Sequence, residues 1–253
     1  MSLNKIALIT GGSRGLGKNM ALRLAEKGSD VIITYQSQKE AAASVVSEIE
    51  AMGQKAIALQ LDVANVQSLD AFIQELSKTL QSKWSTGKFD FLINNAGIGA
   101  TIPFAQVTEE DFDKFMNIHF KSVYFLTQKA LAIMNDNGRI INISTGTTRM
   151  CVPGYSVYAS MKGAIETFTK YLAKDVGVRG ITANVVAPGP IETDFNNAAI
   201  RNHPERKAMM ASQSALGRVG QAEDIGGVIA FLCSADAGWI SGQRIEASGG
   251  MAL

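Results

Sequence analysis

Tyr158 and Lys162 stand four residues apart in "YSVYASMKGA", a stretch of helical period, so both side chains project from one face and can meet at one point. That pairing has a chemical use. A free tyrosine ionises near pH ~10, too high for an efficient acid or base at neutral pH, but a neighbouring ammonium favours the phenolate. A further hydroxyl lies upstream in "INISTGTTRM", residues 141–150, which reads as the end of a buried strand running into a polar loop. Ser144 and Thr145 are adjacent there, and neighbouring side chains on a strand point to opposite faces, so only one of them can join Tyr158. The plainer reading of Tyr158 and Lys162 is an amphipathic helix that carries both incidentally.

Near the N-terminus, "KIALIT" runs straight into "GGSRGLG" and then into "KNMALRLAEKG". A glycine-rich turn between a strand and a helix lets backbone N–H groups and the positive helix end approach a pyrophosphate that a Cβ would obstruct. Gly11, Gly15 and Gly17 follow the spacing G-x-x-x-G-x-G, with Ser13, Arg14 and Leu16 between them. The Lys-Ser/Thr of a nucleotide triphosphate loop is missing, which favours a dinucleotide. An acidic residue at the end of the second strand would accept hydrogen bonds from the adenosine ribose and repel a 2′-phosphate. Tyr35 occupies that place, while Arg14 can meet a phosphate dianion, so NADP(H) is favoured over NAD(H). Otherwise Arg14 is an ordinary solvated cation.

These residues must be positioned by regular elements, and the chain alternates accordingly. Short runs rich in β-branched residues ("KIALIT", "DVIITY", "AIALQLD", "FDFLINNAG", "GRIINIS", "ITANVVAPG", "QRIEASGG") are separated by longer segments of helical period. Such alternation specifies βαβ units and a parallel sheet covered on both faces. No linker-like stretch or repeat interrupts it, so residues 1–253 are read as one domain. "EEDFDKFMNIHFKSVYFLTQKALAIM" reads as one helical segment, and "QSKWSTGK", residues 81–88, as a widened surface loop. The irregular stretch 195–218 suits a mobile lid over a site.

Composition bounds the function. With 46% hydrophobic and 19% charged residues the chain is a globular enzyme or binding domain, not a disordered one. A formal charge of +1 gives no general attraction to nucleic acid or to an anionic membrane. Cys151 and Cys233 have no close metal-ligand spacing and read as reduced, buried thiols; no metal is expected. No long apolar run marks a leader or a span, which points to the cytoplasm.

"TGGSRGLG" (10–17), "LDV" (61–63), "NNAG" (94–97), "YASMK" (158–162), "APGPIETD" (187–194) and "SGG" (248–250) are each weak alone, but their order is specific. Through them the whole chain resembles the short-chain dehydrogenase/reductase family. The resemblance implies a single-domain α/β fold, a Rossmann-type doubly wound parallel sheet of about seven strands with helices on both faces. It also implies a nicotinamide cofactor, a small-molecule carbonyl or alcohol substrate, and a homotetramer or homodimer packed through the long helices. Tyr158 would protonate the nascent alkoxide, and Lys162 would lower its pKa and hold the nicotinamide ribose. Asp62 and Val63 would border adenine, and Asn95, Ala96 and Gly97 would line the cofactor's middle. Pro188, Gly189, Ile191 and Thr193 would contact the carboxamide and pyrophosphate. The stretches "NNAG", "APGPIETD" and "LGRVGQAEDI" look most like the 3-oxoacyl-[acyl-carrier-protein] reductase type.

Two positions depart from the family's pattern. The family's catalytic serine stands thirteen residues before the tyrosine, and that place holds Thr145, so Thr145 rather than Ser144 is assigned to the site. Its β-methyl restricts the rotamer and crowds the pocket, predicting a lower rate or a narrower substrate range. The family's assisting asparagine falls on His119, not Asn117. Its ring could titrate near neutrality and join a proton path, or fill a helix kink. The expected activity is NADP(H)-dependent reduction of a ketone, such as a 3-oxoacyl thioester, to a secondary alcohol. The competing reading, kept open by Thr145 and His119, is a cofactor-binding sensor or scaffold with weak chemistry. In the loop after Thr145, Arg149 could meet an anionic substrate or simply be solvated.

Overall fold

The computed structural model describes residues 4–253, and in them the apolar runs become one seven-stranded parallel sheet. Its strands are β1 (Ile6–Ile9), β2 (Asp30–Tyr35), β3 (Ala56–Gln60), β4 (Phe89–Asn94), β5 (Met134–Ile143), β6 (Thr182–Pro188) and β7 (Arg244–Ala247), in the order β3-β2-β1-β4-β5-β6-β7. Between them run α1 (Gly15–Glu26), α2 (Lys39–Ala51), α3 (Leu69–Trp84), α4 (Glu109–Met116), α5 (Ser122–Ala130), α6 (Ser156–Val176), α7 (Phe195–Ala198), α8 (Pro204–Ser212) and α9 (Ala222–Leu232).

β1 shows why the sheet is apolar on both sides. Its Ala7 and Ile9 pack with α1, α2 and α9, while Ile6 and Leu8 pack with α3, α5 and α6. Side chains alternate along a strand, so a strand covered on both faces must be apolar at every step. Each fully buried Leu or Ile contributes about 1.5–3 kcal/mol, and both layers are needed to hold the central strands.

The amino-terminal rim is tied by buried carboxylates. Asp90 accepts from the Ile6 N–H (2.9 Å), Lys5 Nζ (2.8 Å) and Asn135 Nδ2 (3.1 Å). Asp30 accepts from Trp84 Nε1 and the Lys55 N–H, both at 2.8 Å. The opposite, carboxyl rim is left free for loops. The chain winds outward from β1 through β2 and β3 and then restarts at β4 on the other side, so a crevice opens between β1 and β4.

Three expectations need correction. α3 runs on through Trp84 instead of ending in an 81–88 loop, because the 7%-exposed indole docks against Asp30. The segment expected as one helix is broken: a five-residue π turn, Asn117–Lys121, separates α4 from α5, and Met134 already belongs to β5. Cys151 is exposed, in a loop held open by Pro153 and Gly154, whereas Cys233 is buried as expected, and burial pushes its thiol pKa up.

Candidate active site

The crevice starts from the glycine turn. The Gly12 N–H donates to Thr34 O (2.9 Å) and the Gly11 N–H to Thr34 Oγ1 (3.2 Å). Thr10 Oγ1 accepts from the N–H groups of Asn95 and Ala96, both at 3.0 Å, and Asn95 Nδ2 donates to Thr10 O (2.9 Å) and Gly11 O (3.1 Å). The ends of β1, β2 and β4 are therefore stitched together before any ligand arrives. Asn95 does this with its own side chain.

Gly11 and Gly15 have φ of +67° and +55°, the left-handed region that favours glycine, and a Cβ on Gly17 would strike the Gly11 carbonyl. α1 opens at Gly15 without a side-chain cap and without an acidic residue in its first turn, leaving N–H groups for an anion. Such a cradle fits a pyrophosphate. The cleft it opens into measures about 840 Å³ and is lined by all the glycine-turn residues named from sequence, by Tyr35, Asp62 and Val63, and by Asn95, Ala96 and Gly97. At its far end Tyr35, Gln36, Ser37 and Gln38 face the exposed Arg14, and none of these carries a carboxylate.

At the near end Thr145 and Tyr158 line the same cleft, both nearly buried at 9% and 8% exposure. Thr145 lies two residues past the end of β5, and its hydroxyl faces the phenol. Ser144 points the other way and donates to Glu166 Oε1 at 2.6 Å, as strand alternation requires. Burial pushes the Tyr158 phenol above its ordinary value, the Thr145 hydroxyl opposes that shift, and Tyr155 adds to it. The lowering expected from Lys162 does not appear among these causes; the opposing pull comes from Thr145. The Lys162 ammonium lies 5.8 Å from the ring centroid, donates to Ile143 O at 2.7 Å, and is itself brought down to about 8 by burial.

His119 sits in the π turn, 1% exposed, edge-on to Tyr158 with ring centroids 5.1 Å apart. Its Nε2 lies 2.8 Å from Ile98 O and 3.3 Å from the Ile98 N; the shorter contact is a hydrogen bond only with the proton on Nε2, the tautomer that leaves Nδ1 a buried acceptor without a partner among the described residues. Burial, and then the Lys162 charge, push its pKa well below the usual value, against a smaller opposing pull from Ile98. The ring is therefore neutral at physiological pH and does not titrate near neutrality, in contrast to one of the two expectations. It also explains Gly97, where a Cβ would come within 2.8 Å of His119 Cε1.

Pro188, Gly189, Ile191 and Thr193 form the wall after β6. The Gly189 N–H donates to Ala247 O at 3.1 Å, and a Cβ there would meet Ser248 Cα at 2.8 Å. Beyond them the 195–218 stretch, which carries α7 and α8, contributes residues to the cleft lining. Phe195 lies 6.2 Å from the Tyr158 ring, and Asn196 Nδ2 and Arg206 Nη2 donate to the Tyr155 hydroxyl at 3.2 and 3.3 Å. Asn196, Asn197 and Ala198 all have φ between 53° and 57°, an unfavourable run for residues with a Cβ. The substrate end is apolar, with Met150, Val152, Phe195, Met209, Met210 and Met251 along it.

Arg149 stays at the surface, its side chain 41% exposed, as the solvated reading has it, and it is not among the residues that line the cleft. Its Nε and Nη2 grip both oxygens of Glu246 (2.9 and 2.7 Å). Sequence reasoning missed Glu166, Arg244, Tyr155 and Met251. Glu166 continues the four-residue spacing of Tyr158 and Lys162 and Tyr155 stands three residues before Tyr158, whereas Arg244 and Met251 come from a remote segment. Among the described residues no cluster of side chains could hold a metal ion, and no helix is long and apolar enough to cross a membrane.

Comparison with known proteins places this geometry in a group. The family described as enoyl-(acyl carrier protein) reductase matches residues 11–252. A hydroxynaphthalene reductase-like protein of Metarhizium brunneum is 36% identical, over 97% of this chain and 94% of its own. A short-chain dehydrogenase/reductase of Pestalotiopsis microspora is 38% identical over the same shares. The solved angucycline C-6 ketoreductase with bound NADP is 37% identical and superposes with a TM-score of 0.94, covering 99% of this chain and 97% of that one.

Proposed function

The chain belongs to the short-chain dehydrogenase/reductase family, and from that premise we propose that it is an NADP(H)-dependent ketone reductase whose substrate is an apolar ring ketone. The observation that carries the reading is the convergence of the Thr145 and Tyr158 hydroxyls at the apolar end of the cleft, with the Lys162 ammonium behind them. Two hydroxyls aimed at one point suit a carbonyl oxygen better than a carbon–carbon double bond, because both can donate to it as negative charge develops there.

In this reading the glycine turn and the α1 end hold the pyrophosphate, and Arg14 with the uncharged Tyr35–Gln38 stretch accepts a 2′-phosphate. The bound nicotinamide would supply the hydride. Thr145 orients the substrate oxygen, Tyr158 gives its proton to that oxygen, and Lys162 stabilises the phenolate left behind. Met150, Met209, Met210 and Met251 offer a polarizable surface that suits a flat aromatic substrate. The hydroxynaphthalene and angucycline reductases among its relatives agree with that choice. A 3-oxoacyl thioester is the less favoured substrate, since Arg149 is ion-paired to Glu246 and, among the described residues lining the apolar end, Arg206, held to the Tyr155 hydroxyl, is the single cation left to meet an anionic carrier. The stretch 195–218 acts as a lid over this end.

The test is oxidation of NADPH and NADH in the presence of a bicyclic aromatic ketone and of an acetoacetyl thioester. Turnover with the ring ketone and NADPH is expected, at least about tenfold above NADH. Preference for NADH overturns the cofactor assignment, and preference for the thioester overturns the substrate. Tight NADPH binding with no turnover of any ketone would favour the sensor.

A further inference from the structure

The wall behind Thr145 is built from charge. Glu166 shares the α6 face of Tyr158 and Lys162, and its Oε1 accepts from Ser144 Oγ (2.6 Å), Thr148 Oγ1 (2.8 Å) and Arg244 Nε (2.9 Å). Arg244, on β7, also donates from Nη2 to the main-chain oxygen of Thr145 and to Thr148 Oγ1, each at 3.2 Å, and from Nη1 to Glu246 Oε2 at 3.0 Å. Glu246 is gripped by Arg149, which in turn donates to the carbonyls of Met251 (2.6 Å) and Ala252 (3.2 Å). Met251 and Ala252 line the cleft. Thus one chain of alternating charges runs from the catalytic helix, past Thr145, to the C-terminal wall of the pocket.

Isolated surface ion pairs contribute little. These differ in two ways. The side chains of Glu166, Arg244 and Glu246 are only 17%, 23% and 19% exposed, and each guanidinium uses its planar fork on several acceptors at once. The Thr145 hydroxyl accepts from the Thr147 N–H (3.2 Å), and its own peptide, extended two residues past β5, has its carbonyl held by Arg244 Nη2. Nothing in the glycine turn helps to aim it.

We propose that Glu166 and Arg244 are positioning residues for carbonyl reduction, which fix the Thr145 hydroxyl relative to Tyr158, and that Glu246 and Arg149 extend the same clamp to the C-terminal wall of the substrate pocket. The proposal rests on the ketone-reductase reading above. Displacing a group that orients substrate by about 1 Å costs about 100-fold in rate, so the clamp acts on turnover and not on cofactor binding.

The experiment removes the centre of the clamp and restores it chemically. Arg244→Ala leaves a space that a guanidinium ion can fill. Its kcat is expected to fall about 100-fold while the NADPH dissociation constant, read from cofactor fluorescence, stays unchanged. Guanidinium at low millimolar concentration is expected to restore kcat about tenfold, and sodium chloride of equal ionic strength is not. Glu166→Gln, which keeps the shape and loses the charge, is expected to lower kcat without any response to guanidinium. Amide hydrogen exchange gives a readout that needs no substrate: in Arg244→Ala, residues 145–152 and 248–253 should exchange faster, and residues 11–17 should not. Wild-type kcat in Arg244→Ala, a loss that guanidinium leaves untouched, an equal loss of cofactor affinity, or unchanged exchange in 145–152 each overturns the clamp. A wild-type protein inert toward every ketone defeats the reductase reading instead, and the exchange data still decide whether the clamp exists.

Discussion

At the scale of single residues, the two hydroxyls of Ser144 and Thr145 differ only in direction, and direction decides their use. Both border the cleft, but Ser144 Oγ is committed to Glu166, whereas the Thr145 hydroxyl meets the Tyr158 phenol. Thr145→Ala is therefore expected to lower kcat about 100-fold, while Ser144→Ala stays within several-fold of wild type; steady-state kinetics on the same ketone compares them. The reverse order of effects would mean the wrong hydroxyl was chosen. Counting along the sequence was enough to find Thr145, because strand alternation is a local rule. It could not settle the ionisation of His119 or Tyr158, because that is set by how deeply the folded chain buries each ring, with Phe195 brought against Tyr158 from a distant segment.

At the scale of elements, apolar periodicity located all seven strands, and β2 and α2 begin at the residues expected. Element ends were harder to read, since they depend on partners distant in sequence. Trp84 is the clearest instance: "QSKWSTGK" looks polar, yet α3 continues into it as far as Trp84 because Asp30 waits 54 residues away for the indole N–H. Trp84→Phe keeps most of the buried area and removes that donor, so it should destabilise the fold by about 1–3 kcal/mol, seen as a lower urea midpoint at unchanged slope. An unaltered midpoint would show that α3 needs no such anchor. The π turn around His119 was equally hidden, because nothing in "FMNIHFKSV" announces an extra residue in the turn.

At the scale of the whole molecule, placing an ammonium inside the fold has a price that depends on pH. Lys162 falls from 10.5 to about 8 on burial. Below pH 8 both folded and unfolded chains carry the proton, and the fold bears the full penalty, on the order of 3 kcal/mol. Between pH 8 and 10.5 the unfolded chain binds more protons than the folded one, so stability rises with pH through that window. The Tyr158 phenol, held up in the fold, acts in the opposite sense above pH 10. Lys162→Met should therefore be more stable than wild type at pH 7 in the absence of cofactor, with the advantage shrinking steadily toward pH 10. Denaturant titrations of both proteins from pH 7 to 10 check this; a difference that stays constant with pH would mean Lys162 is not desolvated as the structure has it.

The two tryptophans have an optical consequence. Trp84 is 7% exposed beside Asp30, and Trp239 is 100% exposed. The short-wavelength part of the intrinsic emission then comes from Trp84 alone and marks whether α3 is seated, at the rim far from the cofactor cleft. The long-wavelength part belongs to Trp239, so protection of that component from a soluble quencher as concentration rises would signal chains meeting at that surface, without any label being added.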